Sequence, residues 1–220
     1  MAGIASYFQL VNSIDPTWVT FKDDFFTTLD ETNVWNVVKD AGATAAIGAD
    51  AANGTLVISS AATTDNDGGL VQSIQEYIVG SANKAIYLET KVKLSDATQT
   101  DFYFGLSAQA ETDPENILSA ASRIGFEKLD GTAELSAVCT ASSVTTKSSC
   151  QRSLSDATYA VLSIYFDGTT AFFYVNGNQV QSIATNVPAD EMAVAMFHLS
   201  GNNSGTKTST WDYVFYAGQR

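Results

Sequence analysis

The sequence predicts an all-β protein, a two-sheet antiparallel sandwich or jelly roll preceded by an N-terminal arm. Three observations carry this. Asn176-Gly177 follows the aromatic-rich apolar run 171–175 and precedes residues 178–180, and both residue types tolerate the positive φ angles that a two-residue type I′ hairpin turn demands. Residues 85–94 and 101–107 alternate between two kinds of side chain with a period of two. Patterning with the period of a helix is nearly absent.

In chain order, residues 1–20 form the expected arm, or a short helix, with residues 21–220 as one domain, a length that sandwiches reach undivided. Tyr7, Phe8, Leu10 and Trp18 are costly to leave in water, so the arm is expected to pack on the sandwich or on a neighbour. It has no basic n-region and no unbroken apolar core, so neither a secretion signal nor a membrane anchor is expected. Residues 34–38, 43–47, 55–59 and 69–75 are strand candidates, punctuated by turn clusters at 51–54 and 64–69. In 85–94, Ile86, Leu88, Val92 and Leu94 share a core face, and Tyr87, Glu89, Lys91 and Lys93 a wet one. In 101–107, Phe102, Phe104 and Leu106 oppose Asp101, Tyr103, Gly105 and Ser107, and the Ser95-Asp96-Ala97 turn makes these two runs expected antiparallel neighbours. Helical turns are expected only around 112–121, where Pro114 follows Asp113 as in a capped first turn. Strands at 123–128 and 133–140 follow. Residues 160–168 then join the Asn-Gly hairpin as three consecutive antiparallel strands, before strands at 192–199 and 208–216.

The 24 acidic residues against 11 basic ones give a formal charge of −13. Such a surface repels phosphate backbones and anionic headgroups, and no Lys/Arg cluster compensates, so neither nucleic acid nor a membrane is an expected partner. Cys139 and Cys150 lie in a segment that reads as a hairpin bringing the two sulfurs opposite each other, which makes a disulfide geometrically reasonable; the missing secretion signal, implying a reducing cytoplasm, stands against it. Two Cys and one His cannot make a four-ligand zinc site without carboxylates, and no cofactor or metal is expected.

The ordered set Phe21-Lys22-Asp23-Asp24-Phe25-Phe26, Trp35, Thr63-Thr64-Asp65-Asn66-Asp67, the strand ending Glu89-Thr90-Lys91-Val92-Lys93-Leu94, the Phe173-Tyr174-Val175-Asn176-Gly177 hairpin and Trp211-Asp212-Tyr213-Val214 resembles the concanavalin A-like (laminin-G-like) jelly rolls of tailed-bacteriophage virions. The resemblance covers residues 21–217. It implies a non-enzymatic structural protein decorating the outer capsid surface, assembled in the host cytoplasm, with the major capsid protein as partner and a homotrimer favoured. Tyr7, Phe8, Leu10 and Trp18 are then the expected capsid contacts. The alternative is a carbohydrate-binding adhesin or lectin-like module of a tail or head appendage that touches a host-surface glycan.

That fold raises an enzymatic alternative, because some glucanases sharing it carry Glu-x-Asp-x-Glu along one strand, where alternation aims all three carboxylates into one cleft. Glu111, Asp113 and Glu115 have this spacing, but Pro114 lacks a ladder donor and the segment reads as a loop or helix cap. His198 has no nucleophile arranged beside it and reads as structural. Asp65, Asn66 and Asp67 suggest Ca²⁺, yet Gly68 and Gly69 interrupt the ligand pattern and an Asx-type turn is expected. Trp18, Trp35, Trp211 and the nine Tyr are expected in the core, with Trp211, Tyr213 and Phe215 on one strand face; a sugar platform would need two exposed, coplanar rings.

Overall fold

The computed structural model describes residues 17–48, 54–78, 84–108, 112–202 and 204–219. These form β1 (Trp18–Asp23), β2 (Trp35–Lys39), β3 (Thr44–Ile47), β4 (Leu56–Ser59), β5 (Gly68–Ile78), β6 (Ile86–Leu94), β7 (Thr100–Ser107), β8 (Arg123–Lys128), β9 (Glu134–Ala141), β10 (Val144–Ser153), β11 (Ala160–Phe166), β12 (Ala171–Val175), β13 (Asn178–Ile183), β14 (Glu191–Ser200) and β15 (Thr208–Gln219). A short 3-10 helix, Pro114–Ser119, lies between β7 and β8. None of the described helices is long and apolar enough to cross a membrane.

The strands build two sheets, with every pairing antiparallel. The eight-stranded sheet runs β13-β12-β11-β6-β15-β4-β3, with β1 also paired to β15. The seven-stranded sheet runs β10-β9-β8-β7-β14-β5-β2. Inward rows from both sheets, including Leu88, Val92, Phe102, Phe104, Phe126, Phe173, Met196 and Trp211, interdigitate as one apolar core. Trp211 stacks on Phe102 with ring centroids 5.4 Å apart. The expected sandwich is therefore the observed one, and β11, β12 and β13 are consecutive neighbours, with β12 joined to β13 at Asn176 and Gly177, whose φ values of 50° and 77° fit the type I′ turn.

Several expectations are corrected. β6 and β7 are not neighbours: β6 lies between β11 and β15, whereas β7 lies between β14 and β8 in the other sheet. The segment between them crosses the end of the sandwich, held by Asp96 Oδ1, which accepts from the Thr98 and Gln99 amides. Side-chain alternation reports the face a residue takes, not the sheet its strand joins. Nor is the second face of β6 uniformly wet, since Tyr87 and Glu89 are buried there. The arm boundary also moves, because β1 starts at Trp18.

The β9–β10 turn falls at Ser142-Ser143, both at positive φ, earlier than the midpoint of the two cysteines. Cys139 therefore pairs with Thr146, Cys150 lies further along β10, and both thiols are free and buried, so the suggested disulfide is absent. Finally, β15 carries a bulge: Trp211 pairs with Val92 and Tyr213 with the adjacent Lys91, leaving Asp212 as the extra residue. Trp211 faces the core, while Tyr213 and Phe215 face outward, so these three do not share a face.

Candidate functional site

A cavity of about 360 Å³ opens on the outer face of the eight-stranded sheet and is lined by Asp24, Phe26, Asp212 and Tyr213. Two segments far apart in the chain meet there. β1 pairs with β15 with Asp23 opposite Val214, a register whose continuation brings Asp24 beside Tyr213. The bulge then turns Asp212 toward the same side as Tyr213, a use of bulges common near functional sites. After β1 the chain bends sharply at Phe25, whose ring is buried against Trp35, and Phe26 is left 68% exposed.

Charges alternate around the cavity. Lys22 Nζ lies 2.8 Å from Asp24 Oδ1 and 5.9 Å from the Tyr213 ring centre. Lys91 Nζ lies 2.6 Å from Asp212 Oδ2 and also faces the Tyr159 ring, which Lys93 approaches as well. Tyr213 is fixed from beneath, its hydroxyl donating to Glu89 Oε1 at 2.8 Å. Glu89 Oε2 accepts from Ser163 at 3.0 Å and from the Tyr87 hydroxyl. Burial, together with hydrogen bonding to Glu89, pushes the Tyr213 phenol well above its usual range, so its hydroxyl stays a donor. The cavity thus offers an apolar ring surface and carboxylate acceptors, chemistry that suits a polyhydroxylated ligand, with Lys22 and Lys91 paired to those carboxylates.

The residues singled out from the sequence lie elsewhere. Tyr7, Phe8, Leu10 and Glu111 fall outside the described residues. Trp18 packs partly buried on the outer-face cluster of Tyr87 and Phe215. Asp113 caps the 3-10 turn by accepting from the Glu115 amide at 2.9 Å, and both side chains are exposed off any strand. Ile117 of that turn is buried with Tyr103, Val138 and Phe197 on the outer face of the seven-stranded sheet. No described strand carries more than one acidic residue. On β8 the outward row reads Arg123, Gly125, Glu127, with Glu127 gripped by Arg123 and Lys147, each at 2.5 Å. Asp67 is buried and its Oδ1 accepts from Ala61 N, while Asn66, at a φ of 52°, donates its amide to the adjacent Asp65 Oδ1 at 3.0 Å, so the expected Asx turn at Asp65 is not formed. His198 is fully buried, facing the core. Sequence reasoning missed Asp24, Phe26 and Asp212 as site residues. The available signal was Phe25-Phe26, two adjacent bulky rings at a strand end that cannot both face one core.

Comparison with known proteins places the architecture. No family model and no curated protein matches this sequence. Among solved structures it resembles a β-1,3-1,4-glucanase (lichenase) from a mouse hindgut metagenome, with a TM-score of 0.67 and 12% identity over 90% of this chain and 98% of that one. A mixed-linkage glucan enzyme of glycoside hydrolase family 16 from Bacteroides ovatus gives 0.64 and 16%, covering 88% and 98%. An endo-β-1,3-glucanase from Pyrococcus furiosus gives 0.64 and 13%, covering 92% and 95%. The chain therefore has the concanavalin A-like jelly-roll sandwich seen in glycoside hydrolase family 16, and at these identities the likeness shows fold. These neighbours are glucan-cleaving enzymes and none is described as a virion protein. They overturn the expected capsid-decoration role, and with it the expectation that the protein is not an enzyme.

Proposed function

We propose that this protein is carbohydrate-active and takes a neutral polysaccharide of the β-glucan kind in the cavity between β1 and β15. The observation that carries the reading is the cavity itself, where exposed Phe26 and half-buried Tyr213 stand beside Asp24 and Asp212. The glucanase fold supports the substrate class. An overall charge of −13 disfavours anionic glycans. Glycosidic cleavage requires two carboxylates flanking the bond, and Asp24 and Asp212 are the pair on this cavity.

The test is affinity electrophoresis on mixed-linkage and β-1,3-glucans, with reducing-end release followed in parallel. Wild-type protein should be retarded, and Phe26→Ala should weaken binding about tenfold, the effect of losing ~1.4 kcal/mol. Turnover, where measured, should disappear in Asp24→Asn or Asp212→Asn. Wild-type protein that neither binds nor cleaves any glucan in the panel refutes the reading.

A further inference from the structure

We infer that Asp23 and Gly54 are positioning residues for the Phe26 ring, together holding a strained turn that keeps it over the cavity; this rests on the cavity being the glycan site. Phe25 has a φ of 51°, in the left-handed region that bulky L residues seldom enter. Strain of this kind persists only where surrounding structure fixes it, and it gathers at ligand-binding sites. Here it has a visible consequence. Phe25 drops into the core at 1% exposure, and the next residue, Phe26, points to solvent at 68%.

Two features fix the turn. Asp23 Oδ1 accepts from the Phe25 amide at 2.7 Å, while its Oδ2 accepts from the Trp35 indole N–H at 2.8 Å. Trp35 is fully buried between Phe21 and Phe25, so one end of this clamp is anchored in the core. On the other side, Gly54 has a φ of 71°, and a Cβ there would stand 2.6 Å from the Asp24 carbonyl oxygen and closer still to that of Phe25. Only glycine lets the backbone lie against the turn so closely. Neither Asp23 nor Gly54 lines the cavity. Their effect on a ligand has to pass through Asp24, Phe25 and Phe26.

A double-mutant cycle on mixed-linkage glucan binding separates placement from general stability. Phe26→Ala should weaken binding about tenfold, Gly54→Ala should do the same, and the double variant should bind no worse than either alone, because a displaced ring has nothing left to lose. Asp23→Asn, whose single side-chain oxygen can satisfy one of the two donors, runs the same cycle should Gly54→Ala fail to fold. In that variant the Trp35 indole N–H resonance should also shift, a signature that a loss of stability alone does not produce. Wild-type affinity in both positioning variants, or losses that multiply in the double variants, overturns the inference while leaving the cavity reading intact. Wild-type affinity in Phe26→Ala overturns the cavity reading, and the inference with it.

Discussion

Acidification from pH 7 to pH 4 should destabilise this fold by about 3 kcal/mol through His198 alone. The residue sits on the inward face of β14, opposite Phe102 on β7 and Gly69 on β5, with no exposed surface. Neither ring nitrogen has a hydrogen-bond partner among the described residues. The Lys207 main chain, near enough to favour the charged ring slightly, lies outside hydrogen-bond geometry, so burial dominates and lowers the pKa from 6.5 to about 4, with Lys128 adding a smaller push in the same direction. Because the folded-state value lies below the unfolded one, the unfolded chain binds the extra proton between pH 6.5 and 4. Stability therefore falls as pH falls through that window and levels off below it. Each pH unit of displacement is worth about 1.4 kcal/mol, which gives the total above. Urea unfolding of the wild type and His198→Leu at pH 7 and pH 4 isolates this contribution. Asp40 and Asp101, whose pKa values burial raises, titrate alike in both proteins and cancel. His198→Leu should be no less stable at pH 7, since it removes two unsatisfied nitrogens, and should lose the 3 kcal/mol acid dependence. Equal acid sensitivity in the two proteins, or a His198 titration near 6.5 by NMR, refutes the reasoning.

Burial raises the Cys139 thiol to about 12 and the Cys150 thiol to about 11, so iodoacetamide at pH 8 should leave native protein unlabelled and alkylate both cysteines in urea; rapid native labelling contradicts this. Tyr213→Phe removes one of three hydroxyls donating to buried Glu89 and should cost about 1–2 kcal/mol in a urea melt, whereas an unchanged midpoint would mean the donor is dispensable. Gly177→Ala meets no neighbouring atom, so its loss of about 1 kcal/mol should come wholly from the positive φ of 77°, and a neutral result would dispute the type I′ turn.

The parts of the fold that were legible in the sequence are those set by local geometry. Asn176-Gly177 announces its hairpin because few other pairs accept two positive φ angles, and Asp113-Pro114 announces its cap because the Pro amide is not needed there. Face assignments on β6 and β7 hold for the inward rows, since a period of two follows from strand geometry. Pairing does not follow from it. Which sheet receives β7 depends on how residues 95–99 cross the end of the sandwich, and the Asp212 bulge exists only in register with β6. The site was hidden for the same reason. Asp24 and Phe26 are almost the whole chain away from Asp212 and Tyr213, and the ladder between β1 and β15 is what joins them.

The placement of acidic residues bears on how such a fold handles a glycan. A strand with alternating carboxylates delivers a closely spaced pair to one cleft, as cleavage with retention requires. Among the described strands none has that row, and β8 presents Arg123, Gly125 and Glu127, with the Tyr103 ring lying over Gly125 and Glu127 committed to two cations. Ile117 and Leu118 add an apolar cover to that sheet face. The opposite face offers what this one lacks, with a loop carboxylate from Asp24, a bulge carboxylate from Asp212 and an aromatic ring exposed by a strained turn. The groups of the candidate cavity are thus placed by irregular positions, a bulge and a left-handed residue, more than by the strands that hold them. Restoring regular geometry at either position should leave the sandwich folded and empty the cavity of its ligand groups.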